Sequence, residues 1–95
     1  MDIEEARKLL QNELLKFRAR DYSELRSSLG NQGCWEVVGA SGTTYQVEVD
    51  VLLDEPGKDR GNLRILGTID DGTLRAAFKP VSEQFIVTLD GQVLD

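Results

Sequence analysis

An α+β fold, with an N-terminal helix packed on one face of a four- to five-stranded antiparallel sheet, is what this chain predicts, and three observations predict it. Ile3, Ala6, Leu10, Leu14 and Phe17 recur at helical spacing. From Thr43 to Leu53 the pattern changes, with Tyr45, Val47, Val49, Val51 and Leu53 on one face and Gln46, Glu48 and Asp50 on the other. A period of two belongs to a half-buried strand. Further alternating runs, Leu63–Ile69 and Phe85–Leu89, follow at spacings set by Gly, Asp and Pro. The 95 residues make one domain, 1–95, with a single core.

The helix opens at Asp2, with Glu5 three residues later, a pattern in which the Asp accepts from an orphan amide and the Glu reaches back to the cap. Leu9 and Leu15 fall outside the apolar stripe and are expected to project away from the sheet. A second start, Asp21 with Glu24, precedes Tyr22, Leu25 and Leu29 and ends at Gly30, so the helix bends or restarts near 19–21. This segment, Arg18 to Gly30 (Arg-Ala-Arg-Asp-Tyr-Ser-Glu-Leu-Arg-Ser-Ser-Leu-Gly), resembles the helix-to-helix corner of cystatin-like α/β-roll proteins and of the related nuclear-transport-factor-like group. The resemblance implies a helix cradled by a curved sheet. It assigns no functional residue, because the acid and histidine pocket of the larger group has no complete counterpart here.

The first strand begins near Cys34. A three-residue turn, Ala40-Ser41-Gly42 with Gly42 left-handed, sets Trp35 beside Val47 and Val37 beside Tyr45, whereas a two-residue turn would strand Glu36 on the buried face. Residues 54–61, rich in Pro, Gly and mixed charge, form a loop. Asp71-Gly72 predicts a tight type I′ hairpin that pairs Ile69 with Leu74, Gly67 with Ala76 and Ile65 with Phe78. The last run, Phe85, Val87 and Leu89, is expected as a short edge strand ending at Asp90-Gly91; the competing reading is a helical turn started by residues 80–83.

The net charge of −6 disfavours nucleic acid and anionic membranes, both of which attract clustered Lys and Arg. No apolar run reaches the ~20 residues that span a bilayer, and the acidic start, Met-Asp-Ile-Glu-Glu, is unlike a secretory signal. One cysteine, Cys34, forms no internal disulfide, which points to a reducing, cytoplasmic setting. Its expected state is buried and inert.

With no histidine, the Ser-His and Cys-His pairs and the commonest metal ligand are absent, and no glycine-rich phosphate loop stands before a helix. No cofactor, metal or catalytic residue is therefore assigned. Asp70 and Asp71 are expected to cap turn amides, and Asp54, Glu55 and Asp59 do not match a calcium loop. Arg64 and Arg75 are expected on one face of adjacent strands, where they would clamp an anion or pair with Glu48 and Asp50. That face, opposite the helix, also carries Val38, Leu52, Leu66 and Ile86, more large hydrophobes than a freely solvated face requires. Together with the aromatics Trp35 and Tyr45, the residues Val38, Leu52, Arg64, Leu66 and Arg75 form the candidate ligand or partner surface. The expected function is a small non-enzymatic binding or assembly domain that dimerises or receives a protein partner through its sheet. The alternative is a small-molecule or enzymatic pocket between helix and sheet.

Overall fold

Asp2 caps the first helix in the computed structural model of the protein, which describes residues 2–54, 61–72 and 81–94. Its carboxylate accepts from the Glu5 amide at 3.1 Å, and α1 spans Ile3–Arg18. The Glu5 side chain does not close the expected reciprocal cap; it turns to the β1–β2 loop. Ala6, Leu10, Leu14 and Phe17 are buried, whereas Ile3 is exposed, so the apolar stripe starts one turn later than its spacing suggests. Leu9, expected to point away, packs half-buried against the core, and Leu15 is exposed. The helix restarts rather than bends: Asp21 accepts from the Glu24 amide at 2.8 Å, and α2 spans Tyr22–Arg26 with Leu25 buried.

Five antiparallel strands follow in the spatial order of the sequence: β1 (Gln32–Val38), β2 (Thr44–Leu53), β3 (Leu63–Asp70), β4 (Val81–Val87) and β5 (Val93–Leu94). Trp35 pairs with Val47 and Val37 with Tyr45, the register that the three-residue turn demands. Gly42 is left-handed with φ 87°, its amide donating to the Gly39 carbonyl at 2.9 Å.

The register beyond Asp71-Gly72 differs from the sequence reading. The places assigned to Leu74, Ala76 and Phe78 opposite Ile69, Gly67 and Ile65 are taken by Val81, Glu83 and Phe85. Leu74, Ala76 and Phe78 themselves lie outside the described residues. Gly72 is left-handed (φ 77°) and its amide donates to Asp70 Oδ1, but Asp71 lacks the positive φ that a type I′ turn also requires. Val81, Phe85 and Val87 give β4 a buried row that completes the helix-facing surface.

The final strand also differs. β4 is not the sheet edge and ends at Val87; Leu89 is exposed in a turn where the Thr88 amide donates to the Gln92 carbonyl at 2.8 Å, and the two-residue β5 closes the sheet.

Helix α1 lies over β3 and β4. The approach is set at Gly67, where an added Cβ would sit 3.0 Å from both Leu10 Cδ1 and Leu14 Cδ2. Leu10, Leu14 and Phe17 join Val47, Val49, Ile65 and Phe85 in one core, as the two apolar stripes require.

Candidate functional site

The seven candidate residues divide between the two sheet faces. Tyr45 and Trp35 alternate onto the helix side, where Tyr45 is fully buried and Trp35 half-buried. Val38, Leu52, Arg64 and Leu66 lie on the outer side, and Arg75 falls outside the described residues.

On the helix side, Tyr45 Oη donates to Glu5 Oε2 at 3.0 Å, and the same carboxylate accepts from the Ser41 amide (3.0 Å) and hydroxyl (2.8 Å). These bonds pin the start of α1 to the β1–β2 turn. The Ser41 amide and hydroxyl, joined by Tyr45 and opposed by burial, hold the Glu5 carboxyl below its ordinary pKa. Burial, and then the Glu5 hydrogen bond and charge, push the Tyr45 phenol up. Because the folded carboxyl is the stronger acid, the latch stabilises the fold above the ordinary carboxylate pKa and is lost as pH falls through the lowered value. Acid titration of thermal stability is therefore expected to show a smaller loss in Glu5→Gln than in the wild type; equal losses would remove the latch from the acid response.

Trp35 closes the other end of this face. Its Nε1 donates to Glu13 Oε1 at 2.7 Å, its ring stacks on Phe17 with centroids 6.2 Å apart, and Arg20 covers the far side of the Phe17 cluster at 4.5 Å from that ring. Burial raises the Glu13 carboxyl, but Lys16 and Trp35 outweigh it, and the net shift is downward. Tyr45 and Trp35 are thus tied to α1 as structural anchors rather than aimed at an open cavity.

The outer face has an apolar corner. One row across the strands reads Leu52, Arg64, Ile86 and Leu94, and Leu66 lies one row along on β3. Leu52 is 43% and Leu94 45% exposed, while Leu66 and Ile86 are partly covered. Arg64 pairs with Asp54, a partner the spacing of the strand residues did not suggest. Its Nη2 and Nε donate to Asp54 Oδ1 at 2.8 and 3.1 Å, and Nη1 to Gln84 Oε1 at 3.2 Å. The guanidinium is held along the surface by Asp54 and Gln84, beside the exposed Leu52. Val38, 65% exposed, pairs with Thr44, eight residues from Leu52 along β2. At about 3.3 Å per residue it stands roughly 26 Å from that corner and belongs to a different surface.

The remaining candidates stay structural. Asp70 caps the Gly72 amide at 2.8 Å, Asp54 serves Arg64, and Glu55 and Asp59 lie outside the described residues. Among the described residues no group of three or more Asp, Glu or Cys could hold a metal ion. Cys34, expected to be buried, is exposed on the outer face of β1 because alternation places it opposite Glu48. The sequence pattern carried that information, since Cys34 and Glu36 share a face.

Several hollows open at the surface among the described residues. One of about 610 Å³ lies between α2 and the β4–β5 turn, lined by Tyr22, Arg26 and Leu89 among others. A second of about 600 Å³ runs along α1 beside β4 at Leu15, Arg18 and Gln84. A third, about 200 Å³, lies beside Gly33 over Phe17, Val49 and Val51. Sequence reasoning missed it, although a glycine on the inner face of an edge strand was its signal.

No protein family, curated protein or solved structure matches this chain. Among the described residues no helix is long and apolar enough to cross a membrane.

Proposed function

We propose that the protein is a non-catalytic assembly domain that pairs with a second copy of itself through the outer face of its sheet, at the corner formed by Leu52, Leu66, Ile86 and Leu94. The observation that carries this reading is the grouping of these four side chains around a guanidinium whose charge is already met by Asp54. An apolar cluster whose central guanidinium is already satisfied meets its own copy about a two-fold axis without setting two unpartnered guanidinium groups against each other. The net charge of −6 and the exposed, unbridged thiol fit a soluble cytoplasmic setting and a protein rather than nucleic-acid partner.

Static light scattering of two variants locates the contact. Leu66→Lys places a charge inside the corner and is expected to lower the mass from two chains toward one, with the circular dichroism spectrum retained. Val38→Lys, at the opposite end of the same face, is expected to leave the mass at two chains. Loss of the dimer in both variants, or in neither, would contradict the assignment of the corner.

A further inference from the structure

We propose that the free edge of β1 receives an extended basic segment of a partner protein as an additional strand. Its alternate residues would be apolar toward the helix side and Lys or Arg toward the outer face. This contact is separate from the apolar corner, which lies across β2 to β5.

The backbone offers the first part of the site. β1 ends the sheet, and the Gly39 amide donates to the Thr43 carbonyl at 2.8 Å. Antiparallel alternation from that bond commits Val37, Trp35 and Gly33 to β2 and turns the amides and carbonyls of Val38, Glu36, Cys34 and Gln32 outward. Among the described residues no strand pairs with them. All seven residues of β1 hold an unbroken register with β2 and include neither Lys nor Pro, two common guards of an open edge.

The helix side supplies the second part. Because α1 lies over β3 and β4, Leu9, Trp35 and Val37 form a half-covered apolar ledge along β1. Beside them the 200 Å³ hollow at Gly33 is lined by Phe17, Val49 and Val51 together with Arg20, Ser28 and Asn31, a place for one uncharged side chain of an added strand, with its Lys or Arg residues on the other face. Main-chain bonds then give affinity, and the ledge and hollow read alternate residues.

Charge selects the occupant. Glu36 on β1 and Asp70 on β3 flank Gln46 on the outer face at this end, while Arg64 sits at the far end of β3 with Asp54. A second copy pairing through its own β1 would bring a second set of carboxylates alongside; a basic strand brings their complement.

The test uses the intact protein and three synthetic heptapeptides. The first is Lys-Val-Lys-Leu-Lys-Val-Lys, the second has the same composition in blocks (Lys-Lys-Lys-Lys-Val-Leu-Val), and the third carries Glu in place of each Lys of the first. Trp35, the one tryptophan of the chain, reports binding by fluorescence, and amide hydrogen exchange reports its place. The alternating Lys peptide is expected to bind at least about tenfold more tightly than either of the others. It is also expected to slow exchange at the Cys34 and Glu36 amides, with Glu36→Lys weakening it severalfold. Equal binding of the block peptide would reduce the effect to charge attraction, and equal binding of the Glu peptide would remove the charge selection. Exchange already slow at Cys34 and Glu36 without peptide, with a mass that falls in Glu36→Lys, would give the edge to a second copy. Each of these results overturns the proposal, and the exchange and peptide comparisons on the wild type decide it even if Glu36→Lys does not fold.

Discussion

Leu14→Ala is expected to cost about 2–5 kcal/mol, because the removed atoms leave a cavity where the helix packs closely on Gly67 of the sheet. Leu14 is 2% exposed, and both of its Cδ atoms stand within 3.2 Å of the place where a Gly67 Cβ would be. The opposing backbone has no side chain at Gly67 to collapse into the space, so little of the cavity would relax away. For a domain of this size each kcal/mol shifts the thermal midpoint by about 4–8 °C, so calorimetry should record a fall of roughly 10 °C or more. A loss below about 0.5 kcal/mol, the range of ordinary surface changes, would place this helix face in solvent.

Gly39→Val is expected to destabilise the fold by about 2–4 kcal/mol, combining overpacking with the orphaning of a buried hydroxyl. A Cβ at Gly39 would meet Glu5 Oε1 within bonding range, stand 2.7 Å from Glu5 Cδ and lie 3.1 Å from Tyr45 Cε2. Glu5 can swing aside only by releasing Ser41 and leaving Tyr45 Oη without its acceptor. A double-mutant cycle isolates this mechanism. In a Glu5→Ala background the same Gly39→Val change should cost clearly less, since one of its two obstacles is gone; an unchanged cost would assign the whole effect to the Tyr45 ring or to the strand backbone.

The parts of the fold that rest on period were legible in the sequence. The stripe Ala6, Leu10, Leu14 and Phe17, the strand centred on Val47 and Val49, and the Trp35–Val47 register all follow from burying one face and solvating the other. What period alone does not encode is connection length. Gly72 has the positive φ expected of it but Asp71 does not, and the partner of β3 is the strand with the apolar row Val81, Phe85 and Val87, a long-range preference that outweighs the turn signal. The candidate surface was read in part for the same reason. Alternation put Leu52, Arg64 and Leu66 on one face, but it carries no lateral distance, so Val38 was grouped with residues that lie at the other end of β2. The partner of Arg64 was hidden as well: Asp54 lies just past the strand end and reaches it only once the β2–β3 pairing is fixed. Trp35 and Tyr45 read as aromatics needing cover, and α1 supplies it through Glu13 and Glu5, carboxylates whose helical spacing gives no hint of their distant hydroxyl and indole partners.

Self-association through the apolar corner is tested most directly by sedimentation equilibrium of the wild-type protein across the micromolar range. Twice the chain mass, falling toward one chain only on dilution, is the expected result. A single-chain mass at every concentration would contradict it.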